Sequence, residues 1–227
     1  MHEISDSEIN EFCKSDPNGR IKAIWLGHAT SLVNIENKII LMDPVFSQRY
    51  VKLYTLHGIY TLLYLVITNK FSFITNRASP VQFMGPKRFR DVPIKIDRIP
   101  RVDTILLSHN HYDHLDENSV DELNKKFGQN LTWLIPVGTA KWFKSVGVKN
   151  NLHEFSWWQT KTIDKLEFVF TPAQHWSTRG LLDRNKSLWG GWIVLGAKKR
   201  FYFTGDTGGS HLRMLIRKLI HIKIGFF

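Results

Sequence analysis

One stretch constrains this chain more than any other: Ser108-His109-Asn110-His111-Tyr112-Asp113-His114-Leu115-Asp116. Three of the ten histidines and two carboxylates fall within it. The apolar run Thr104-Ile105-Leu106-Leu107 leads straight into it and reads as a buried strand, so the chemistry sits on a loop at a strand's end. Neutral imidazole and carboxylate are the ligands that zinc, iron and manganese take. The H-x-H-x-D-H spacing is too tight for one metal to use every side chain. It suits two metals that share a loop, with His109 and His111 turned to one and Asp113 and His114 to the other. The competing reading, a solvated polar loop, is weakened by complementary groups further along the chain.

Those groups arrive at two more strand ends. Leu166 to Thr171 reads as a strand and ends in Pro172-Ala173-Gln174-His175-Trp176. Ser187 to Leu195 and Arg200 to Thr204 read as a strand pair, and the second ends in Gly205-Asp206-Thr207-Gly208. Asp206 is a lone carboxylate between glycines, where the backbone turns sharply and leaves the side chain bare. Three separate strand ends thus converge on one composite site. With two metals about 3.5–4 Å apart and Asp206 between them, a shared water would lose a proton near neutral pH. Asp113 is suited to hold that water or accept its proton. The ligand types point to a metal-dependent hydrolase, with ester, lactone and phosphodiester substrates all open.

The rest of the sequence sets the frame. At 227 residues the chain can bury a sizeable core as one domain. A hydrophobic content of 43% places it among globular chains. The single Cys13 excludes an internal disulfide and a cysteine-based zinc site, and fits a reducing compartment. A net charge of +11 favours an anionic partner. No nucleic-acid module is visible, so nucleic acid is not expected and lipid or phosphate ranks first. The polar, acidic start does not read as a signal peptide. Residues 1–19 read as a mobile lead-in closed by the turn Pro17-Asn18-Gly19. Arg20 to Leu26, Ser31 to Glu36 and Lys38 to Met42 read as a strand meander. His28, after the first of these strands, reads as a support for a ligand more than as a ligand. Ser79 to Pro100 reads as a basic, extended connector near the site. Asp116 is suited to N-cap a helix from about Glu117 to Phe127, ended by Gly128. A strand over Thr132 to Pro136, a short helix over Thr139 to Val146, and strands over Asn151 to Phe155 and Lys161 to Ile163 follow. The pair Trp157-Trp158 reads as core or rim packing.

The metal loop, His175 and Asp206 together resemble the metallo-β-lactamase superfamily, an α/β family with an αββα sandwich. Further blocks are similar to the N-acylphosphatidylethanolamine-hydrolysing phospholipases D within it: Trp25-Leu26-Gly27-His28-Ala29-Thr30, Asp43-Pro44 with Phe46-Ser47, Gly85-Pro86-Lys87-Arg88-Phe89-Arg90, Leu188-Trp189-Gly190 and Phe203-Thr204-Gly205-Asp206. The resemblance covers residues 20–49 and 77–209. It implies a zinc phosphodiesterase that releases an N-acylethanolamine and phosphatidic acid. By that match His109, His111 and His175 hold one zinc, Asp113 and His114 hold the other, Asp206 bridges, and Tyr112 lines the lipid headgroup. It also implies a membrane phospholipid as substrate, an anionic membrane surface as partner, a homodimer as a form open to the intact fold, and a peripheral intracellular location on membranes.

Departures from the family pattern set further expectations. The segment from Tyr50 to about Arg77 intervenes where relatives run on directly. It reads either as a retained intron or misassigned exon, or as a membrane-binding insertion. Its apolar part, Leu53 to Thr68, is short for a membrane span. The expected organisation is a lead-in over 1–19, a metallo-β-lactamase-like domain over 20–209 with the insert at about 50–77, and a divergent basic amphipathic tail over 210–227. The family continues past the Gly205 to Gly208 turn to a last zinc-binding histidine, and His211 and His221 come too soon to replace it. The expectation is therefore a sandwich incomplete at its C-terminal end, two zinc ions in the family with one tightly held here, and weak turnover. The competing readings are a lactonase or other metal-dependent hydrolase of the superfamily, and an inactive, truncated membrane-binding product.

Overall fold

The computed structural model describes residues 2–48, 91–180 and 182–209, with the backbone of residues 225 and 226. The expected insert, the basic block from Gly85 to Arg90, and residues 210–224 of the expected amphipathic tail, with His211 and His221, lie outside the described residues.

Two sheets stack face to face. The first runs in the order β1 (Lys22–Gly27), β2 (Thr30–Ile35), β3 (Lys38–Met42), β4 (Thr104–Leu106), β5 (Thr132–Pro136), β6 (Leu152–Phe155). Its first three strands form the expected antiparallel meander, and from β3 onward the pairing is parallel. The second sheet holds β7 (Thr160–Ile163), β8 (Leu166–Pro172), β9 (Gly190–Leu195), β10 (Arg200–Phe203) and β11 (Gly225–Phe226), in the order β11-β10-β9-β8-β7. It is antiparallel except where β11 joins β10.

The strand sequences follow from what each sheet face touches. Strands β3 to β5 are buried on both faces, so they read as continuous apolar runs. Ile39, Leu41, Ile105, Trp133 and Ile135 face a helical layer, while Ile40, Met42, Leu106 and Leu134 face the second sheet. Strand β8 instead alternates, with Leu166, Phe168 and Phe170 turned inward to meet Trp192, Val194 and Phe201.

The helical layer comprises α1 (Asp6–Cys13), α2 (Glu117–Phe127) and α3 (Ala140–Ser145). Helix α1 corrects the expectation of a mobile lead-in. Ser5 and Glu8 form a reciprocal capping box at its start. Ile9 and Phe12, three residues apart, bury one face of the helix in the core with Ile4 beside them. The connector also differs from its reading. Its described part carries Ile94, Ile96 and Ile99 into the same helical-side core, while Arg98 binds Glu3 and Asp6 of the N-terminal segment. This described part packs into the core that the helices cover.

The site is positioned by where strands stop. Gly190, opening β9, donates its N–H to Ser108 O at 3.0 Å, joining the two sheets at one end. Gly205 sits there at φ +56, and a Cβ on it would lie 2.6 Å from Gly190 O and 3.0 Å from Ser108 Cβ. Only glycine fits both that backbone conformation and that close approach. The ends of β4, β8 and β10 are thereby drawn together.

Candidate metal centre

The structure brings the three strand-end segments into contact. His109 Nε2 lies 2.9 Å from His111 Nδ1, and His175 Nε2 lies 3.1 Å from each of those two atoms. Three nitrogens bound to one tetrahedral zinc at 2.0–2.1 Å stand about 3.3 Å apart, so this triangle has the dimensions of a metal ligand set. A second group joins His28, Asp113 and His114, whose ligand atoms lie within 4.8 Å of one another. Asp206 stands between the groups. Its Oδ2 is 3.2 Å from His114 Nε2 and 3.9 Å from His175 Nε2.

The tautomers of two histidines are fixed by a network that local sequence did not reveal. Asp43, fully buried at the end of β3, accepts from Ser108 N at 2.7 Å, from Ser108 Oγ at 2.5 Å and from His114 Nδ1 at 2.7 Å. The Ser108 hydroxyl donates its hydrogen bond to this carboxylate. The hydroxyl oxygen is therefore left to accept from His109 Nδ1, 2.8 Å away. His109 then carries its proton on Nδ1 and turns a bare Nε2 toward the site, while His114 carries a proton on Nδ1 toward Asp43 and turns Nε2 toward Asp206. This is the support that metal-binding histidines receive from carboxylates and hydroxyls. Asp116 acts similarly for the loop's exit. It starts α2 but gives the helix no side-chain cap; its carboxylate accepts instead from Ser119 Oγ and Ser47 N.

Electrostatics separates the two groups. Burial and the neighbouring imidazoles hold His109 well below its usual range. Burial, then His175, lowers His111 to about 4, and burial lowers His175 as well. These three are neutral at physiological pH, as metal ligation requires. His114 is opposite: burial opposes its charge, but Asp206 and Asp43 outweigh burial and push it up to about 10. Contact with His114 in turn holds Asp206 below the ordinary carboxylate value.

His28 occupies a left-handed turn (φ 53) after a bulge at the end of β1. Its Nε2 is 3.5 Å from Asp113 Oδ2, while its Nδ1 accepts from Ala29 N at 2.8 Å. An imidazole whose Nδ1 accepts from a backbone N–H carries its proton on Nε2, which presents a donor toward Asp113 and not a lone pair. Tyr112 sits at the loop's outer turn, where its hydroxyl donates to Arg179 O at 2.8 Å. Trp176 packs edge-on against His111 at 4.5 Å, a contact absent from the sequence reading. Trp157 and Trp158 are rim residues: Trp157 meets Trp189 edge-on and donates to its carbonyl, and Trp158 is half exposed. No described helix is long and apolar enough to cross a membrane.

Comparison with known proteins agrees with this architecture. The beta-lactamase superfamily domain matches residues 39–224. The chain is 36% identical over 213 residues to N-acyl-phosphatidylethanolamine-hydrolyzing phospholipase D 1 of Caenorhabditis elegans, covering 90% of this chain and 51% of that one. It is 30% identical over 134 residues to a UPF0173 metal-dependent hydrolase of Solibacter usitatus, covering 57% of this chain and 55% of that one. The chain therefore spans about half the length of these relatives. Among solved structures, an isothiocyanate hydrolase from Delia radicum gut bacteria superposes with a TM-score of 0.58 at 18% identity, covering 86% of this chain and 66% of that one. That likeness bears on the fold alone.

Proposed function

The chain belongs to the β-lactamase superfamily and has its metallo-hydrolase fold, and from that premise we propose that it is built for phosphodiester hydrolysis of the phospholipase D type. The proposed substrate is N-acylphosphatidylethanolamine and the products are an N-acylethanolamine and phosphatidic acid. The observation that carries the hydrolytic reading is the place of Asp206 between two histidine-bearing groups. The substrate class draws on the likeness to the Caenorhabditis elegans phospholipase and on the blocks around His28, Asp43 and Trp189.

In this reading His109, His111 and His175 would hold one zinc, Asp113 and His114 would hold a second, and Asp206 lies between the two groups. Bound there, zinc would polarise the phosphodiester and lower the pKa of water at the site. The chain's own residues do the rest. Asp43 and Ser108 orient the ligating imidazoles. Asp113, with His28 Nε2 as its neighbour, is the group that takes a proton from the attacking water. Tyr112 meets the headgroup through its ring, since its hydroxyl is engaged by Arg179 O. The charge of +11 suits an anionic membrane surface.

The test is a lipid panel with purified chain, with zinc and after chelation. Zinc-dependent release of N-acylethanolamine with phosphatidic acid is the expected result. Hydrolysis of lactones or simple esters with no phosphodiester cleavage would contradict the lipid reading. It would favour a different metal-dependent hydrolase, the reading to which the Solibacter usitatus relative lends weight.

A further inference from the structure

Arg179 follows His175 by four residues and is 8% exposed. Its Nη1 lies 2.7 Å from Leu115 O and 3.4 Å from Asn110 O. Both carbonyls belong to the metal loop: Asn110 separates His109 from His111, and Leu115 follows His114. The guanidinium lies over the Tyr112 ring at 4.3 Å and over the Trp142 ring at 4.8 Å. Among the described residues no carboxylate forms an ion pair with it. Asp183, the acid closest in sequence, engages the Arg179 and Gly180 backbone N–H groups and Thr178 Oγ1 instead. Arg179 Nε and Nη2 are buried without a hydrogen-bond partner among the described residues.

Stability alone does not account for this arrangement. Burying a guanidinium and leaving two of its nitrogens unpaired is costly, and an apolar side chain of similar volume would commonly serve a core at least as well. What the guanidinium supplies is a rigid, planar set of donors held between two rings. One of them, Nη1, reaches the carbonyls of Asn110 and Leu115, on either side of His111 and His114, from a residue anchored on the loop that carries His175. The link is reciprocal, because Tyr112 of the metal loop donates its hydroxyl to Arg179 O at 2.8 Å.

We propose that Arg179 is a positioning residue of the metal centre, clasping the 108–116 loop to the His175 loop and so setting the distance from His175 to His109 and His111. The proposal rests on the metal-centre reading above. It assigns Arg179 no contact with substrate.

Cobalt binding to the purified chain tests it, read by equilibrium dialysis and by the absorption spectrum of the bound ion. Arg179→Ala should weaken cobalt binding by about 10- to 100-fold, the range found when groups that orient metal ligands are removed, and should alter the spectrum. Free guanidinium, added well below denaturing concentration, should restore both, while equal sodium chloride should not. Arg179→Lys, which keeps the charge but loses the planar donors, should bind more weakly than the parent chain. It carries the test should Arg179→Ala fail to fold. Variants that bind cobalt with parental affinity and spectrum overturn the proposal. A folded Arg179→Ala that guanidinium does not mend also overturns it, because the side chain would then be packing alone. A parent chain that binds no cobalt overturns the metal reading itself, and this proposal with it.

Discussion

The two halves of the candidate centre grow from the same loop but are prepared in opposite ways. His109, His111 and His175 form an all-nitrogen triangle in which burial keeps every imidazole neutral. His114, a few residues further on, lies between Asp43 and Asp206 and holds a proton. The first half is ready to receive a cation. The second already has a charge of its own, the imidazolium, in the space between its carboxylates. The contrast teaches that a dense histidine motif does not define one environment. The side chains reaching in from other strands decide which histidines are bare and which are charged.

The largest expected effect removes a member of the triangle. His111→Ala should lower metal affinity at the first position by more than about 100-fold, beyond the range typical for residues that merely orient ligands. Metal analysis after dialysis checks this, and unchanged stoichiometry would sink the assignment.

Breaking the support of the second half comes next. Asp43→Asn cannot hold three donors as a carboxylate does. It should weaken metal binding by about 10- to 100-fold and destabilise the fold by roughly 3–5 kcal/mol, the range for a broken buried pair. Urea unfolding with and without metal separates the two effects. A variant with parental stability would mean that the Asp43 network does not matter.

The metal-free protein should also show the contrast in its pH dependence. His109 and His111 fold with lowered pKa, so the unfolded chain binds more protons and stability falls as pH drops from about 6.5 toward 4. His114 has the reverse sign. Its contribution is complete below about 6.5 and is lost as pH rises toward 10. Unfolding in chelator should therefore give a stability maximum near 6.5, and Asp43→Asn should flatten the alkaline limb. A curve that rises steadily from pH 5 to 9 would contradict the assignment of opposite signs.

The smallest effect lies at the other end of β3 from Asp43. Lys38 pairs with Asp164 at 2.7 Å, and Asp164 is well exposed. Lys38→Ala should cost no more than about 1 kcal/mol and leave metal affinity unchanged. A change in metal affinity there would show that the centre is coupled across the whole sandwich.

Much of the candidate centre was legible in the sequence because its candidate ligands sit at strand ends, and strand ends are marked by apolar runs that stop. His109, His111, His114, His175 and Asp206 all follow such runs, and the structure gathers them. Asp43 and Ser108 gave no comparable signal as tautomer-setting groups. Their partners lie 65 to 71 residues away from Asp43, and that pairing is a property of the parallel β3–β4 register. Arg179 was hidden for a different reason: a cation in a polar loop reads as solvated, and only packing against Tyr112 and Trp142 shows otherwise. Helix α1 was missed because its apolar face is only Ile9 and Phe12, too short a pattern to stand out from a polar segment. The strand bounds, by contrast, followed the apolar pattern to within three residues at every end.

The central claim is that one composite centre has two unlike halves, and metal titration by calorimetry tests it most directly. Zinc would be added near neutral pH in two buffers of different ionisation enthalpy, so that the difference in heat counts the protons released. The first equivalent should bind to the neutral triangle with little proton release. The second should bind more weakly and release about one proton, from His114. His111→Ala should abolish the first step. Two equivalents with the same proton release, or a first step that survives His111→Ala, would contradict the account.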